Sequence, residues 1–426
     1  MVQQRLRSHP AHPDGSSRCV MGISIASSCG TLRGVLIDAV GHGSRTRVEF
    51  LAAVALPIDE VLVVRLRKLA TGSGADFSVD TLGQLRAELA EVQVEAIQGL
   101  VAEAAVAPNR ILVAGIDDPG LWCVNPPDVR YFSLCDAARV AETTGISIVD
   151  SFPARDLAQG GQGGPIGALP QWVLLKQAQE NCLLVDLGRT TRLSFLPSDS
   201  CLSASSRITS FDVGPGTWLL DELAAKLTGG REPFDPGGRF AVQGRRIDAL
   251  LDHWLADHLF SQTSPRWHPR GVRPERFLND ALRMAVEAHW SVQDLLCTAT
   301  HLIAEALARA TRERLPDDLP IDRILVTGGG QHNGMLLREI TARVRDVPLS
   351  RTGELGIEDH LLEPACIALL ALFHLDQVPG NLCSVTGAEI PRVLGHLTPG
   401  SPQNWQRLLH YMSGARPTVR PLRSAL

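Results

Sequence analysis

Twice in its second half this chain runs from an apolar β-type stretch through a glycine turn straight into a helical pattern. The two turns are Phe211-Asp212-Val213-Gly214-Pro215-Gly216 and Ile324-Leu325-Val326-Thr327-Gly328-Gly329-Gly330. A strand, a glycine turn and a helix in that order can aim backbone N–H groups and the positive end of a helix dipole at one point, the arrangement that holds phosphate. The first turn adds a carboxylate, Asp212, at the strand's end, where it can act as a general base or stand close to a metal-bound phosphate. Taken singly, either turn reads equally well as a plain strand-to-helix connection whose glycines only supply positive φ. Two of them, one acidic and one a triple glycine, favour function.

The rest of the composition narrows the classes. A chain of 426 residues is long enough for two domains or more, and 44% apolar and 20% charged residues are ordinary for a globular protein. A formal net charge of −5 points to neither nucleic acid nor an anionic membrane as partner. Lys68, Lys176 and Lys226 are the only lysines, and none lies in a G-x-x-x-x-G-K-[ST] setting, so a P-loop is excluded. The nine cysteines contain no C-x-x-C pair, which argues against a zinc site or a disulfide framework and fits a reducing cytoplasm. No apolar run reaches membrane-spanning length. Residues 1–20 are polar, carry Pro10, Pro13 and Gly15, and read as a disordered extension, with Met21 as a candidate natural start.

Hydrophobic periodicity divides the remainder into two lobes and a tail. In the first lobe, residues 21–170, β-type runs at Ile23–Ala26, Val35–Val40 and Val48–Leu56 precede a long helical pattern over 80–106. Strand Arg110–Ile116, helix Asp136–Thr144 and strand Ile146–Asp150 follow, and then a glycine-rich loop, Gly160–Pro165. In the second lobe, residues 171–380, a hairpin Cys182–Leu187 and Arg192–Leu196 leads to strand Ile208–Phe211, the acidic turn and a helix to about Leu227. Helical patterns fill 241–260 and 276–313. Strand Ile321–Val326, the triple glycine, helix Asn333–Val344, strand Val347–Ser350 and helix His360–Leu375 complete it. Residues 381–426, rich in Pro and Gly, read as a tail packing on the lobes. Each lobe opens with antiparallel strands and then alternates β and α. That is an α/β chain of two related halves, and not a doubly wound dinucleotide fold, which opens β-α-β with its own glycine fingerprint.

Five segments in order resemble the anhydro-N-acetylmuramic acid kinases of the actin/hexokinase-like ATPase superfamily. The family pattern F-D-T-G-P-G-N-x-L-x-D is matched by Phe211 through Asp221, and V-x-G-G-G-x-x-N-x-x-L by Val326 through Leu336, with Asn333 in register. R-D-x-x-x-G-G-Q-G-x-P is matched by Arg155 through Pro165. G-D-x-x-R…T-G-I appears as Cys135-Asp136-Ala137-Ala138-Arg139 and then Thr144-Gly145-Ile146, and the late L-G…E-A segment as Leu355-Gly356 and Glu363-Pro364-Ala365. The resemblance implies two ribonuclease H-like lobes around a central cleft, with ATP and Mg²⁺ bound between them and an amino sugar as the second small-molecule substrate. It implies ring opening of 1,6-anhydro-N-acetylmuramic acid by water with phosphorylation of O6, a step of cell-wall sugar recycling. Asp212 would be the base that activates the water. Arg155, Asp156, Gln162, Asp136 and Arg139 would line the sugar side. Ser27, Ser28, Gly214, Gly216, Gly328, Gly329, Gly330, Asn333 and Glu363 would line the nucleotide side, with Glu363 at the start of a helix. No metal ligands are assigned, and a homodimer stays open.

The chain also departs from the family. The N-terminal phosphate loop S-G-T-S-x-D-G-x-D falls on Ile25 through Arg33, where both acids are lost. G-S-H-G-Q-T falls on Gly115 through Gly120, N-I-G-G-I-A-N-L-S on Asp186 through Ser194, and P-K-S-T-G-R-E on Pro265 through Gly271. Arg33, Arg189 and Arg192 are therefore candidates either for holding phosphate or for a solvated face. Asp117 and Asp118 are candidates either for Mg²⁺ or for capping the next turn. The alternatives to an active kinase of this sugar are a catalytically impaired sugar- or nucleotide-binding paralogue and a kinase of a different sugar.

Overall fold

The computed structural model describes residues 17–25, 30–71, 78–125, 128–262, 267–269, 271–272, 274–315, 318–344 and 347–414. In chain order the elements are β1 (Arg18–Ile25), β2 (Thr31–Val40), β3 (Arg47–Pro57), α1 (Glu60–Thr71), α2 (Val79–Ala104), β4 (Ile111–Asp117), β5 (Leu121–Asn125), β6 (Asp128–Phe132), α3 (Ala137–Thr144), β7 (Ile148–Asp150) and α4 (Pro153–Leu157). Then come α5 (Ala168–Leu175), β8 (Cys182–Leu187), β9 (Thr190–Leu196), β10 (Thr209–Pro215), α6 (Thr217–Thr228), α7 (Asp248–Leu255), α8 (Glu275–Ala288), α9 (Val292–Arg314), β11 (Arg323–Thr327), α10 (Gly334–Arg343), β12 (Leu349–Arg351), α11 (Asp359–Leu375), α12 (Cys383–Thr386), β13 (His396–Thr398) and α13 (Pro402–Gly414).

The chain divides into two compact units. The first takes Met1–Ala158, Glu363–Asn381 and Ile390–Leu426, and the second Gln159–Leu362 and Leu382–Glu389. The first unit's sheet has the order β13-β7-β4-β1-β2-β3, and the second's β10-β9-β8-β11-β12. In both, three consecutive strands pair antiparallel and the first of them then pairs parallel with the next main strand, β1 with β4 and β8 with β11. This shared order is the ribonuclease H-like arrangement, and each copy has its own apolar core. The antiparallel packing expected over Gly22–Pro57 and Cys182–Phe211 is present.

Local chemistry explains the main elements. Ser78 accepts from the Thr81 N–H and starts α2, while Ser291 and Asp294 form a reciprocal capping box on α9. In the first unit, α11 lies directly on the sheet. A Cβ at Gly22 would stand 1.9 Å from the Pro364 carbonyl oxygen, and one at Gly115 2.7 Å from that of Ile367. Only glycine permits so close an approach.

Several sequence expectations need correcting. The first unit reclaims Glu363–Asn381, which the sequence placed in the second lobe, and Ile390–Leu426, which it placed in the tail. The tail is not irregular: β13 extends the first sheet antiparallel to β7, and α13 packs on β4. Strand β1 begins at Arg18, inside the segment read as extension, because the Arg18 guanidinium is buried in an ion pair with Asp376 at 3.0 Å. Helix α1 and the β5–β6 hairpin were missed, although Leu62, Val63, Leu66 and Leu69 recur at helical spacing along α1. Glu363 is not at a helix start. Helix α11 begins at Asp359, and Glu363 is exposed on its second turn.

Candidate active site

In the second unit a row of charges crosses three adjacent strands. On β9 Arg192 stands opposite Asp186 of β8 on one side and Asp212 of β10 on the other. Directly opposed residues share a sheet face, so the guanidinium lies between two carboxylates. It chooses Asp212: the Arg192 Nε donates to Asp212 Oδ1 at 2.9 Å. The register slips between Asp212 and Gly214. Such a bulge re-aims the side chain beside it.

The other oxygen of Asp212 is held from a distant segment. The backbone N–H of His268 donates to Oδ2 at 2.8 Å, and its ring Nδ1 lies 3.3 Å from the same atom. The Asp212 side chain is 0% exposed, against 27% for Arg192 and 30% for His268. Burial pushes the Asp212 carboxyl up, but the Arg192 charge and the His268 hydrogen bonds overcome it and hold the group below the usual carboxylate range. Asp186 goes the other way. Desolvation raises it, Arg192 pulls down, and the charges of Asp212 and Asp359 push it up further. One carboxylate of the row is thus kept ionised and the other is biased towards its protonated form.

The two glycine turns part company in the structure. At the acidic turn, a Cβ on Gly214 would meet the Phe260 ring at 2.8 Å, and one on Gly216 the Gly188 carbonyl oxygen at 2.2 Å. The Gly216 and Thr217 N–H groups already donate to the carbonyls of Arg189 and Gly188. Packing therefore accounts for Gly214 and Gly216 without a ligand. At the triple glycine, Gly328 has φ of +80° and its Cβ would strike Asp186 and the Leu187–Gly188 backbone, while a Cβ on Gly330 would strike Leu187. A Cβ on Gly329 meets nothing within 4 Å. Gly329 is the glycine that presents open backbone. Asn333 is the N-cap of α10, accepting from the Leu336 N–H at 3.0 Å.

The residues expected on the sugar side divide in the same way. Gln162, in the glycine-rich loop of the second unit, is half-buried, and its N–H donates to the Thr386 carbonyl. The neighbouring Gly164 is covered by Trp267, against whose ring a Cβ would come within 2.6 Å. The 267–268 segment therefore touches the loop with one residue and Asp212 with the next. In the first unit Arg155 is exposed, whereas Asp156 is fully buried and accepts from the Asn381 amide at 2.6 Å. Asp136 caps α3 through the Arg139 N–H and pairs with the Arg139 guanidinium at 3.6 Å. Local helix structure is enough to explain both. Ser27 and Ser28 lie outside the described residues.

The two acids after β4 also separate. Asp118 accepts from the N–H groups of Gly120, Leu134 and Cys135 and from the Ser133 hydroxyl, so it ties a loop together. Asp117 is raised well above the usual range, by burial and by the charges of Asp118 and Glu363. Among the arginines, Arg192 is engaged with Asp212, and Arg189 stacks on the Trp218 ring at 3.8 Å. Sequence reasoning missed His268 and Asp186. His268 sits in a segment that departs from the family pattern, and nothing local announces a partner 56 positions away.

A family model described as anhydro-N-acetylmuramic acid kinase matches residues 19–400. The chain is similar to the anhydro-N-acetylmuramic acid kinase of Xanthomonas campestris pv. campestris, 33% identical over 84% of this chain and 91% of that protein. It is also similar to the protein of that name from Crocosphaera subtropica, 29% identical over 88% of this chain and 98% of the relative. Among solved structures, component A of (R)-2-hydroxyglutaryl-CoA dehydratase from Acidaminococcus fermentans aligns over 83% of this chain and 98% of its own, at 9% identity and a TM-score of 0.40.

Proposed function

We propose that this chain, which belongs to the anhydro-N-acetylmuramic acid kinase family, uses ATP and water to convert 1,6-anhydro-N-acetylmuramic acid into N-acetylmuramic acid 6-phosphate. Water's oxygen bonds to the anomeric carbon and the bond from that carbon to O6 breaks. O6 then bonds to the γ-phosphorus as ADP leaves. One proton of the water must pass to the protein. The observation that carries the reading is Asp212, a wholly buried carboxylate midway along β10 that Arg192 keeps ionised. Holding both reactants in line supplies much of the remaining acceleration.

On the nucleotide side the open backbone of Gly329, on the turn between β11 and α10, fits close approach of phosphate. On the sugar side the candidate in the second unit is Gln162, in the glycine-rich loop whose Gly164 is covered by Trp267. Mg²⁺ enters with ATP as co-substrate. Among the described residues no group of three or more metal-ligating side chains occurs, which suits an ion that keeps most of its waters and is held chiefly through phosphates. Asp117 is the carboxylate whose crowded negative surroundings a divalent cation would relieve. The match over residues 19–400 does not favour an impaired binding protein.

The test is ADP release by purified protein with Mg²⁺-ATP and the anhydro sugar, with the product identified by ³¹P NMR as a phosphate ester on O6. Sugar-independent ADP release alone, or none, would sink the reading.

A further inference from the structure

We infer that Arg192 grips the phosphoryl group during its transfer, with its terminal nitrogens on the phosphoryl oxygens and its Nε on the base, Asp212. The inference rests on the reaction proposed above and adds to it a residue that the family's motifs do not supply. In the pattern N-I-G-G-I-A-N-L-S, asparagine occupies the places of both Asp186 and Arg192, so this charge pair is the chain's own.

Three observations lead there. First, the row of charges joins the two sides of the second unit's site. Asp186, at one end, lies against the triple-glycine turn, where a Cβ on Gly328 would stand 2.6 Å from its Oδ1. Asp212, at the other end, accepts from the His268 N–H at 2.8 Å, and the adjacent Trp267 covers Gly164 of the glycine-rich loop. The row spans two strand spacings, about 10 Å, and Arg192 is its middle member. Under the proposed reaction, a phosphoryl group leaving the nucleotide side for the sugar side passes beside it. Second, the guanidinium is oriented and within reach of a ligand. Its Nε donates to Asp212 Oδ1 at 2.9 Å, which fixes the plane of the group, and the side chain is 27% exposed where Asp212 is 0% exposed. The planar fork of an arginine matches phosphoryl oxygens two at a time. Third, phosphoryl transfer spreads negative charge over three oxygens and calls for positive charge besides Mg²⁺. No lysine of the chain lies on the row or on either turn. Lys68 is on α1 of the first unit, Lys176 pairs with Asp199 at 2.6 Å, and Lys226 is in the last turn of α6.

The step balances, and the arginine links its two ends. One O–H bond of water breaks. Its proton bonds to Asp212, and its electron pair becomes the new bond to the anomeric carbon. The electrons of the broken ring bond go to O6, which bonds to the γ-phosphorus as the bond from that phosphorus to the ADP oxygen breaks. Asp212 loses its charge on taking the proton, so its pull on the guanidinium weakens while the phosphoryl group is in passage.

Two substitutions separate a phosphoryl grip from a residue that only keeps Asp212 ionised. Arg192→Lys keeps a positive charge beside Asp212, and with it the fold and the ionised base, but lacks the fork. Arg192→Ala removes both. If Arg192 grips the phosphoryl group, kcat falls roughly 10²- to 10³-fold in the Lys variant with the sugar KM changed only a few-fold, and the Ala variant stays slow at every pH. A residue that only holds Asp212 gives the opposite pattern. The Lys variant then turns over near the wild-type rate, and the Ala variant recovers as pH rises and Asp212 ionises, with His268 and Asp186 left as its charged neighbours. Either of those results overturns the inference. A binding readout without turnover keeps it apart from the kinase reading. With Mg²⁺, the wild-type protein should bind ADP together with aluminium fluoride, which mimics a phosphoryl group in transfer, roughly 10²-fold more tightly than ADP alone. Arg192→Lys should keep the affinity for ADP and lose that gain, by calorimetry. An equal gain in both proteins overturns the inference, whereas wild-type protein without sugar-dependent ADP release sinks the kinase reading instead.

Discussion

The two sheets share one strand order, yet they treat buried acid in opposite ways. In the second unit a guanidinium lies between the acids of the outer strands, and Asp212 stays ionised under complete burial. In the first unit Asp117 and Asp118 follow one another at the end of β4 with Glu363 nearby, and burial together with like charge drives Asp117 towards its neutral form. Burial raises Asp118 as well, although three backbone N–H groups and a serine hydroxyl oppose the shift. The frame does not decide which acid can do chemistry. The groups that neutralise it do, and environments that push two carboxylates apart in pKa are how one fold obtains distinct roles from the same side chain.

The contrast can be broken most directly at Asp212. Asp212→Asn keeps the shape and removes the charge, so sugar and ATP should still bind while turnover falls roughly 10²- to 10⁴-fold. Comparable rates in variant and wild type would refute its part in proton transfer. Asp118 is the counterpart in the first unit. Asp118→Ala strips four donors of their acceptor and should cost about 3 kcal/mol of stability, read by denaturant unfolding. At temperatures where the variant is folded, its KM for ATP should be unchanged. A stable variant with an altered KM would move Asp118 from brace to binding site.

The glycine turn gives a finer comparison. Gly328→Val places a β-branched residue at φ of +80° against Asp186 and should fold poorly. Gly329→Val meets no protein atom and should fold normally while weakening ATP binding about tenfold, near 1.4 kcal/mol. Equal affinity by calorimetry would remove Gly329 from the nucleotide site. The smallest expected effect is at Asp221, whose carboxyl is pushed up to about 7 by burial and Glu222, against the pull of Arg189. A folded pKa above the unfolded one means the native state binds the extra proton, so this group's contribution to stability falls as pH rises from about 4 to about 7. Asp221→Asn should therefore gain about 1–2 kcal/mol relative to wild type near pH 8 and little near pH 4, after discounting for its partial exposure. A gain independent of pH would show that the carboxyl is not held neutral.

What the sequence revealed followed the reach of its signals. Period-two and helical patterns located the antiparallel openings of both halves, and Asp212 was visible because a strand, an acid and glycines stand in a row, although β10 runs on through the expected turn to Pro215. Gly214 and Gly216 show the ambiguity of a glycine turn: a glycine demanded by Phe260 or by the Gly188 carbonyl looks the same in sequence as one demanded by a ligand. Asp136 and Arg139 are ambiguous likewise, because an N-cap and its i+3 partner reproduce a motif's spacing. His268 was out of reach for the opposite reason. Its bond to Asp212 depends on where the segment after α7 comes to rest, and pairings of that span leave no local periodicity.

The first unit is assembled from the two ends of the polypeptide. Asn404, on α13, accepts from the Ser147 N–H at 2.9 Å and donates to the Ile111 carbonyl at 3.0 Å, and β13 supplies the sheet's outermost strand beside β7. During synthesis the ribosome therefore releases the opening half of the chain long before the segments that seal it exist. The second unit, nearly contiguous from Gln159 to Leu362, can close in the interval. The order of completion is the reverse of the order of synthesis: the half that holds Asp212 and His268 is complete while the half begun first still waits for α13.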